Sequence, residues 1–519
     1  VAASDDTTLD KVPSTNSASK KPNVVFILAD DLGWKDTSLY GSTFYETPNI
    51  DRLAKRGMLF TQAYAASPLC SPTRGSILTG LYPGRIGITA PRCHEPAVQL
   101  EARLAAKGAP FQRALDVVSA SRLKTEYYTL AEAFHDDGYV TGHFGKWHLG
   151  QEPYSPLEQG FDVDVPHYSG PGPAASYQGP WKFPPKLNFI GQPGENIEDR
   201  MADEAIKFLK TNKDKPFYLN YWAFSVHGPW DSKPEVVQKY HDKAKPDSAQ
   251  RNPVYGAMVE TLDKNVGKLL DTLDELKIAD NTIIVFFSDN GGLYQTNKCL
   301  VPGYDDIPIT SNAPLRGGKA TIYEGGTREP CVVVWPGKVK PGSQSDAFFS
   351  SVDWYPTLLG MTGVTPKEAV KFDGVSEVPA LLGEGDPRDT AFCYFPHYVR
   401  GTFPAVWVRR GDWKLIRFFC DSPEQTDRFE LYNLKEDLGE TKNLAVEHPD
   451  KVKELDALIS EHLKDINAVI PVKNPTFDPS AKMPPVRTVE LRKKKPAATN
   501  NESAAKDIRQ NLEKKSDAL

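Results

Sequence analysis

The sequence has no long apolar run, no paired-cysteine motif and no basic excess, and each absence removes a class of function. Its longest apolar runs, such as Val24 to Ala29, are strand-length, whereas a membrane helix needs about 20 apolar residues. No membrane span is therefore expected. The six cysteines, Cys70, Cys93, Cys299, Cys331, Cys393 and Cys420, are scattered without a Cys-x-x-Cys pair, which argues against a zinc cluster. If Cys70 serves chemistry, five remain, and at most two disulfides can form. The formal net charge is -6. Nucleic-acid binders carry a basic balance or stripe, so no nucleic-acid partner is expected. A polyanionic substrate would have to be held by local cations in a cleft.

What is present is an ordinary globular composition, 39% hydrophobic and 25% charged, which excludes disorder of the whole chain. At 519 residues the chain exceeds the size at which one core stops growing, so two domains are expected. The numbering starts at Val1 rather than Met; a processed or trimmed chain is expected, with a secreted or periplasmic location.

Residues 1–20 are polar and read as a flexible leader. Order is expected from Asn23. Val24 to Leu28 and Thr282 to Phe287 are continuous apolar runs, the pattern of strands buried on both faces. Phe217 to Tyr221 and Cys331 to Trp335 are shorter candidates. Helical patterns run over Asn49 to Arg56, Glu198 to Thr211 and Val254 to Leu276. Alternating strands and helices predict an α/β fold, with a large mixed, mostly parallel central sheet flanked by helices over 21–385. From about Asp386 the pattern changes. Ala405 to Arg409 and Trp413 to Arg417 read as a hairpin, Phe429 to Asn433 as a strand and Pro449 to Ile466 as a closing helix. A smaller antiparallel α+β unit is therefore expected over 386–470. Residues 471–519 read as an extended tail, basic at Arg492 to Lys495 and ending in a short helix. A solvated end explains it better than a docking arm.

The first strand runs straight into Asp30-Asp31, and the strand ending at Phe287 into Ser288-Asp289-Asn290-Gly291. Ligands of open α/β sheets bind at the carboxyl ends of strands. Carboxylates packed there repel without a cation, and hard oxygen ligands suit Ca²⁺ or Mg²⁺. Either acidic pair alone reads equally as a cap or turn; together they point to a metal. The third element is Cys70-Ser71-Pro72-Thr73-Arg74. Pro72 suits a first helical turn, which puts Cys70 at a helix N-terminus facing an anion, with Arg74 one turn on. A buried structural cysteine explains this segment as well.

Cys70-Ser71-Pro72-Thr73-Arg74 followed by Leu78-Thr79-Gly80 resembles the signature of type I, formylglycine-dependent sulfatases, within the alkaline phosphatase superfamily. Four further family-like blocks lie in the expected order: Pro22 to Asp31, Gly145 to Gly150, Asp289 to Gly291, and Leu315 to Lys319 with Tyr323 to Gly326. The chain is similar to bacterial arylsulfatase A-like carbohydrate sulfatases over roughly Pro22 to Ile466. Thr73 stands where serine is more common, and Leu81 where an arginine is expected, with Arg85 nearby.

The resemblance implies a hydrolase of sulfate esters. It implies oxidation of Cys70 to formylglycine by a formylglycine-generating or sulfatase-maturating enzyme. The hydrated aldehyde attacks sulfur through one hydroxyl, and its second hydroxyl lets the hemiacetal collapse and release sulfate. By position, Asp30, Asp31, Asp289 and Asn290 become metal ligands together with residue 70, for Ca²⁺ before Mg²⁺. Arg74 holds the gem-diol and the acids. Lys146 and Lys319 clamp sulfate oxygens. His148 takes the proton that triggers collapse, and His227 protonates the leaving oxygen.

The family hosts many substrates, so specificity is expected from loops around the pocket. A sulfated carbohydrate attacked from a chain end is the expected substrate. His397, within Tyr394 to Tyr398, is expected in the sugar subsite. Arg92, His94 and Ser169 are further candidate contacts, and Trp181 and Trp230 candidate stacking surfaces. A phosphate or phosphonate ester hydrolase on the same fold, and a non-catalytic binder of sulfated glycans, are the alternative readings. Faster hydrolysis of a phosphodiester would favour the first, and an unconverted Cys70 with retained glycan binding the second.

Overall fold

The structure, a computed structural model, describes residues 20–399 and 401–483. The expected leader, apart from Lys20, and most of the expected tail, with its short helix, lie outside the described residues. The strands are β1 (Asn23–Ala29), β2 (Met58–Tyr64), β3 (Arg103–Leu104), β4 (Val117–Val118), β5 (Val140–Gly145), β6 (Val163–Val165), β7 (Phe217–Trp222), β8 (Thr282–Ser288), β9 (Arg328–Val334), β10 (Ser343–Ser350), β11 (Thr390–Phe395), β12 (Ala405–Arg410), β13 (Trp413–Phe418) and β14 (Arg428–Asn433).

Eight of them form one sheet in the order β10-β2-β9-β8-β1-β7-β5-β6. β1 pairs in parallel with β7 and β8, and β5 in parallel with β7 and β6. β9 runs antiparallel to both β8 and β2, so the sheet is mixed and mostly parallel, as expected. β9 also begins three residues earlier than the apolar run from Cys331 suggests. Arg328, Glu329 and Pro330 belong to it, because its hydrogen-bonding partners, not its hydropathy, fix its start.

The unbroken apolar run of β1 follows from cover on both faces. Val25, Ile27 and Ala29 join one core with the helices Pro48–Arg56, Ile197–Asn212 and Pro253–Glu275. Val24, Phe26 and Leu28 join a second core with the helices Cys70–Thr79, Leu130–Asp136 and Trp354–Thr362. The long helix starts where Asn252 accepts the amides of Val254 and Tyr255, with Pro253 in its first turn. None of the six cysteines is paired, and no helix among the described residues is long and apolar enough to cross a membrane.

The second sheet is antiparallel, in the order β11-β12-β13-β14. One face packs under the helix Pro449–Asp465. The other packs on Tyr64, Ala320 and Ile322 of the first unit. β3 and β4 form a short hairpin within the charged 92–124 stretch.

A buried charge cluster locks the second sheet to the first unit. Lys414 Nζ, on β13, lies 2.9 Å from Glu324 Oε1 and 2.9 Å from Glu440 Oε1. Glu440 accepts the Glu324 amide at 2.8 Å, and Tyr64 donates to Glu324 Oε2 at 2.8 Å. Burial opposes ionisation of Glu324, but Lys414, Arg409 and Arg328 outweigh it and hold its carboxyl below the usual range. Removing one partner of a buried ion cluster leaves an uncompensated charge. Lys414→Ala is therefore expected to destabilise the protein by about 3–5 kcal/mol, read by denaturant unfolding. A loss within about 0.5 kcal/mol, the range of ordinary surface changes, would show that the cluster is not holding the sheets together.

Candidate active site

Four adjacent strands, β8, β1, β7 and β5, run in parallel and end at one edge of the large sheet. β1 delivers Asp30 and Asp31, β8 delivers Asp289 and Asn290, β5 delivers Lys146 and His148, and β7 leads to His227. The helix Cys70–Thr79 starts beside them. It is buried along its whole length and ends at Gly80, whose φ of 68° is the left-handed C-cap geometry that glycine adopts freely.

One ligand atom each from Asp30, Asp31, Cys70 and Asp289 lies within 4.8 Å of the others. Cys70 Sγ is 3.5 Å from Asp30 Oδ1. Asn290 donates through Nδ2 to Asp31 Oδ1 at 2.8 Å, while its Oδ1 is buried and has no hydrogen-bond partner among the described residues. Three cations ring the acids. Arg74 Nε donates to Asp289 Oδ2 at 2.9 Å, and Nη1 to the Lys146 carbonyl at 2.6 Å. Lys146 Nζ reaches Asp30 Oδ2 at 2.6 Å and Lys319 Nζ reaches Asp31 Oδ2 at 2.7 Å.

This arrangement sets the ionisation of each group. Burial raises the Asp31 carboxyl, but Lys319, His227 and Lys146 together hold it well below the usual carboxylate range. Asp289 is pushed up to about 6 by burial and by Asp30, against the pull of Arg74. Burial pushes the Cys70 thiol up to about 12. His227 is lowered to about 3 by burial and then Lys319; its Nδ1 bonds the Gly228 carbonyl at 2.6 Å, and its Nε2 lies 3.8 Å from Asp31 Oδ2. Burial also takes His148 well below its ordinary value.

The backbone here is constrained. Asp31, His148 and Ala320 have φ of 62°, 57° and 65°, left-handed positions that cluster at functional sites when the surrounding structure imposes them. Gly291 packs so tightly on Gly325 that an added Cβ would lie 1.9 Å from its carbonyl oxygen. The Asp289 block and the Glu324 block thus interlock backbone to backbone, which brings Lys319 to the acids.

The other expected site residues lie in several places. His94 Nδ1 is 2.9 Å from His148 Nε2. Arg92 is exposed and paired with Glu95 at 2.7 Å. Ser169 lines a cleft with Trp147, His167, Tyr168 and Lys186. His397 is buried, with Nδ1 2.9 Å from Asp116 Oδ1 and Nε2 2.9 Å from Thr89 Oγ1. Trp181 and Trp230 are each 7% exposed. Trp181 stacks on Phe189, which corrects its expected place as an open sugar platform. Arg85 binds Asp373 and Asp465, so it does not stand in for the missing signature arginine at the site.

Several supporting groups carry no local sequence signal. Glu198, in the first turn of its helix, accepts the amides of Phe224 and Ser225 at 2.8 and 2.9 Å and so fixes the segment before His227. Tyr177 donates to the His227 carbonyl at 2.8 Å. Asp36, pushed up to about 7 by burial, accepts from Tyr255, Thr310 and the Gly33 amide. Tyr255 also donates to the Asp31 carbonyl at 3.1 Å. Apart from Gly33, three residues before Asp36, their partners lie tens to hundreds of residues away, so spacing could not reveal them.

A family model described as Sulfatase matches residues 22–364. A second, described as N-sulphoglucosamine sulphohydrolase, C-terminal, matches residues 318–468. The chain is 31% identical to N-acetylgalactosamine-6-sulfatase of Canis lupus familiaris, covering 86% of this chain and 87% of that protein. It is 30% identical to N-acetylgalactosamine-6-O-sulfatase of Bacteroides thetaiotaomicron, covering 85% and 93%. Among solved structures, that of Ps i-CgsB in complex with k-i-k-neocarrahexaose is similar with a TM-score of 0.69 and 26% identity, covering 88% of this chain and 95% of that one.

A thiol that is both buried and held protonated is a poor nucleophile. In folded protein whose residue 70 is still cysteine, Cys70 is expected to resist iodoacetamide at mildly alkaline pH and to react once the chain is unfolded. Peptide mass mapping reads both states. Rapid labelling of the folded protein would contradict the buried placement.

Proposed function

The chain belongs to the sulfatase family and is a sulfuric ester hydrolase; from that premise we propose that it removes sulfate from a sulfated carbohydrate, at a chain end, using a formylglycine at residue 70 and a bound calcium ion. The observation that carries this reading is the convergence of three carboxylates and the unpartnered Asn290 Oδ1 beside Cys70, ringed by Arg74, Lys146 and Lys319.

The residues fit a divalent cation. Asp30, Asp31, Asp289 and Asn290 offer hard oxygens, and one of those oxygens is buried without a donor among the described residues. Such an oxygen-rich set suits calcium. When bound, the ion would acidify a hydroxyl of residue 70 and stabilise charge at the reacting oxygens. Formylglycine fits the start of a buried helix, where backbone N–H groups face an anion, and its hydrate supplies the nucleophile.

The other groups act on substrate or on one another. Arg74 orients Asp289 and the Lys146 carbonyl. Lys146 and Lys319, beside Asp30 and Asp31, take sulfate oxygens and neutralise developing charge. His227 is held through Nδ1, so Nε2 is the atom that serves the leaving oxygen; an anionic sulfate beside it favours its charged form. His148 takes the proton released from residue 70. For the carbohydrate we assign Arg92, Ser169, His397 and Trp230 to the surrounding subsites. His397 acts there as a wall tying the 89–116 segment to the second sheet. The sulfated-sugar assignment is supported by the two N-acetylgalactosamine-6-sulfatase relatives and by the similarity to i-CgsB in complex with k-i-k-neocarrahexaose. We further propose units at 21–385 and 386–470, and a secreted or periplasmic location.

Protein whose residue-70 peptide carries the aldehyde mass is expected to release sulfate from one member of a panel of sulfated mono- and oligosaccharides. Cys70→Ala is expected to lose at least about a thousandfold in turnover, as removal of a nucleophile does, without losing its fold. A variant that keeps a few per cent of activity would overturn the nucleophile assignment. Separately, chelation is expected to abolish turnover and Ca²⁺ to restore it better than Mg²⁺. Restoration by Mg²⁺ alone would overturn the calcium assignment.

A further inference from the structure

His148 is 1% exposed, and its Nδ1 is buried with no hydrogen-bond partner among the described residues. Its main chain is in the left-handed region, and its carbonyl accepts from Ser71 Oγ at 2.7 Å. Its Nε2 meets His94 Nδ1 at 2.9 Å, its one hydrogen-bond partner among the described residues, with ring centroids 5.1 Å apart.

The turn that presents His94 is built from behind. Arg122, 1% exposed, donates to the carbonyl of Cys93 at 3.2 Å and to that of Glu95 at 2.7 Å, the two residues flanking His94. Arg122 lies against Gly150, where an added Cβ would meet its Cδ at 2.9 Å. One buried guanidinium therefore fixes the turn carrying His94 next to the segment carrying His148, while the His94 side chain reaches the surface.

Two nitrogens 2.9 Å apart share one proton when both rings are neutral, and burial lowers both histidines. Which ring nitrogen of a histidine carries the proton is set by the hydrogen bond that the other makes. An orphaned buried N–H is rarer than an orphaned acceptor, which puts the lone pair, not the proton, on His148 Nδ1.

We propose that His94 is a positioning residue for His148: its Nδ1 accepts the Nε2–H of His148 and so holds His148 in the tautomer whose Nδ1 lone pair is free to take a proton. The proposal rests on the role given to His148 in the sulfatase reading above. It differs from a sugar contact, because its effect falls on turnover of any sulfate ester.

The test uses the full-length protein with the aldehyde confirmed. His94→Ala is expected to lower kcat on a small aryl sulfate by about 10–100-fold, the usual effect of removing an orienting partner, with KM unchanged. His94→Asn places an amide oxygen near the position of Nδ1 and is expected to restore most of that loss. Ring ¹⁵N spectra of histidine-labelled protein, with the His148 signals identified by their absence in His148→Gln, are expected to show Nε2 protonated, and His94→Ala to lose that preference. Equal losses for Ala and Asn, a loss confined to KM on sulfated sugars, or a wild-type spectrum with the proton on Nδ1 would each overturn the proposal. Wild-type protein that hydrolyses no sulfate ester would overturn the broader reading instead, and the ring spectra would still judge the pair.

Discussion

Everything at this site depends on holding Asp30, Asp31 and Asp289 together in a buried space. Two like charges about 4 Å apart repel by about 4 kcal/mol at an effective dielectric of 20, before the larger penalty of desolvation. The fold meets this with three cations from three places: Arg74 from the signature helix, Lys146 from the end of β5 and Lys319 from the loop before β9. In the function proposed above, the same cations also receive the sulfate, so one set of charges serves both the stability of the site and recognition of its substrate.

That charge balance requires elements far apart in sequence to meet within hydrogen-bond distance. The parallel arrangement of β8, β1, β7 and β5 puts four strand ends side by side, and glycine-to-glycine packing brings the Lys319 loop onto them. The second sheet then grips that loop from outside. Thr402 donates to the Ala320 carbonyl, Tyr323 to Glu430 and Arg316 to Tyr432 and the Glu440 carbonyl. Lys414 binds Glu324 just beyond. The smaller sheet is thus part of how the active site is held, although its strands supply none of the groups around the acids.

Support continues one layer further out. Glu198 and Tyr177 hold the segment around His227, Asp36 and Tyr255 hold that around Asp31, and Arg122 holds the turn of His94. Most of these groups are buried polar side chains whose hydrogen-bonding capacity is met by backbone atoms of the loops around the acids. Buried polar groups of this kind rigidify a site when satisfied, and the left-handed backbones of Asp31, His148 and Ala320 show how tightly the loops are fixed.

The sequence by itself determined the α/β class, the two-face burial of β1 and β8, the acidic strand ends and the position of Cys70 at a helix start. Each is a local property: hydropathy period, adjacency to a strand end, or a proline in a first turn. Only the tertiary structure decided that β9 runs antiparallel and starts at Arg328. It alone showed that Trp181 is packed on Phe189 rather than open, that His397 has both ring nitrogens engaged within the protein, and that His94 meets His148. Those facts depend on pairings between residues 54 to 308 positions apart, or on which neighbour a strand or ring finds, and no spacing along the chain encodes them.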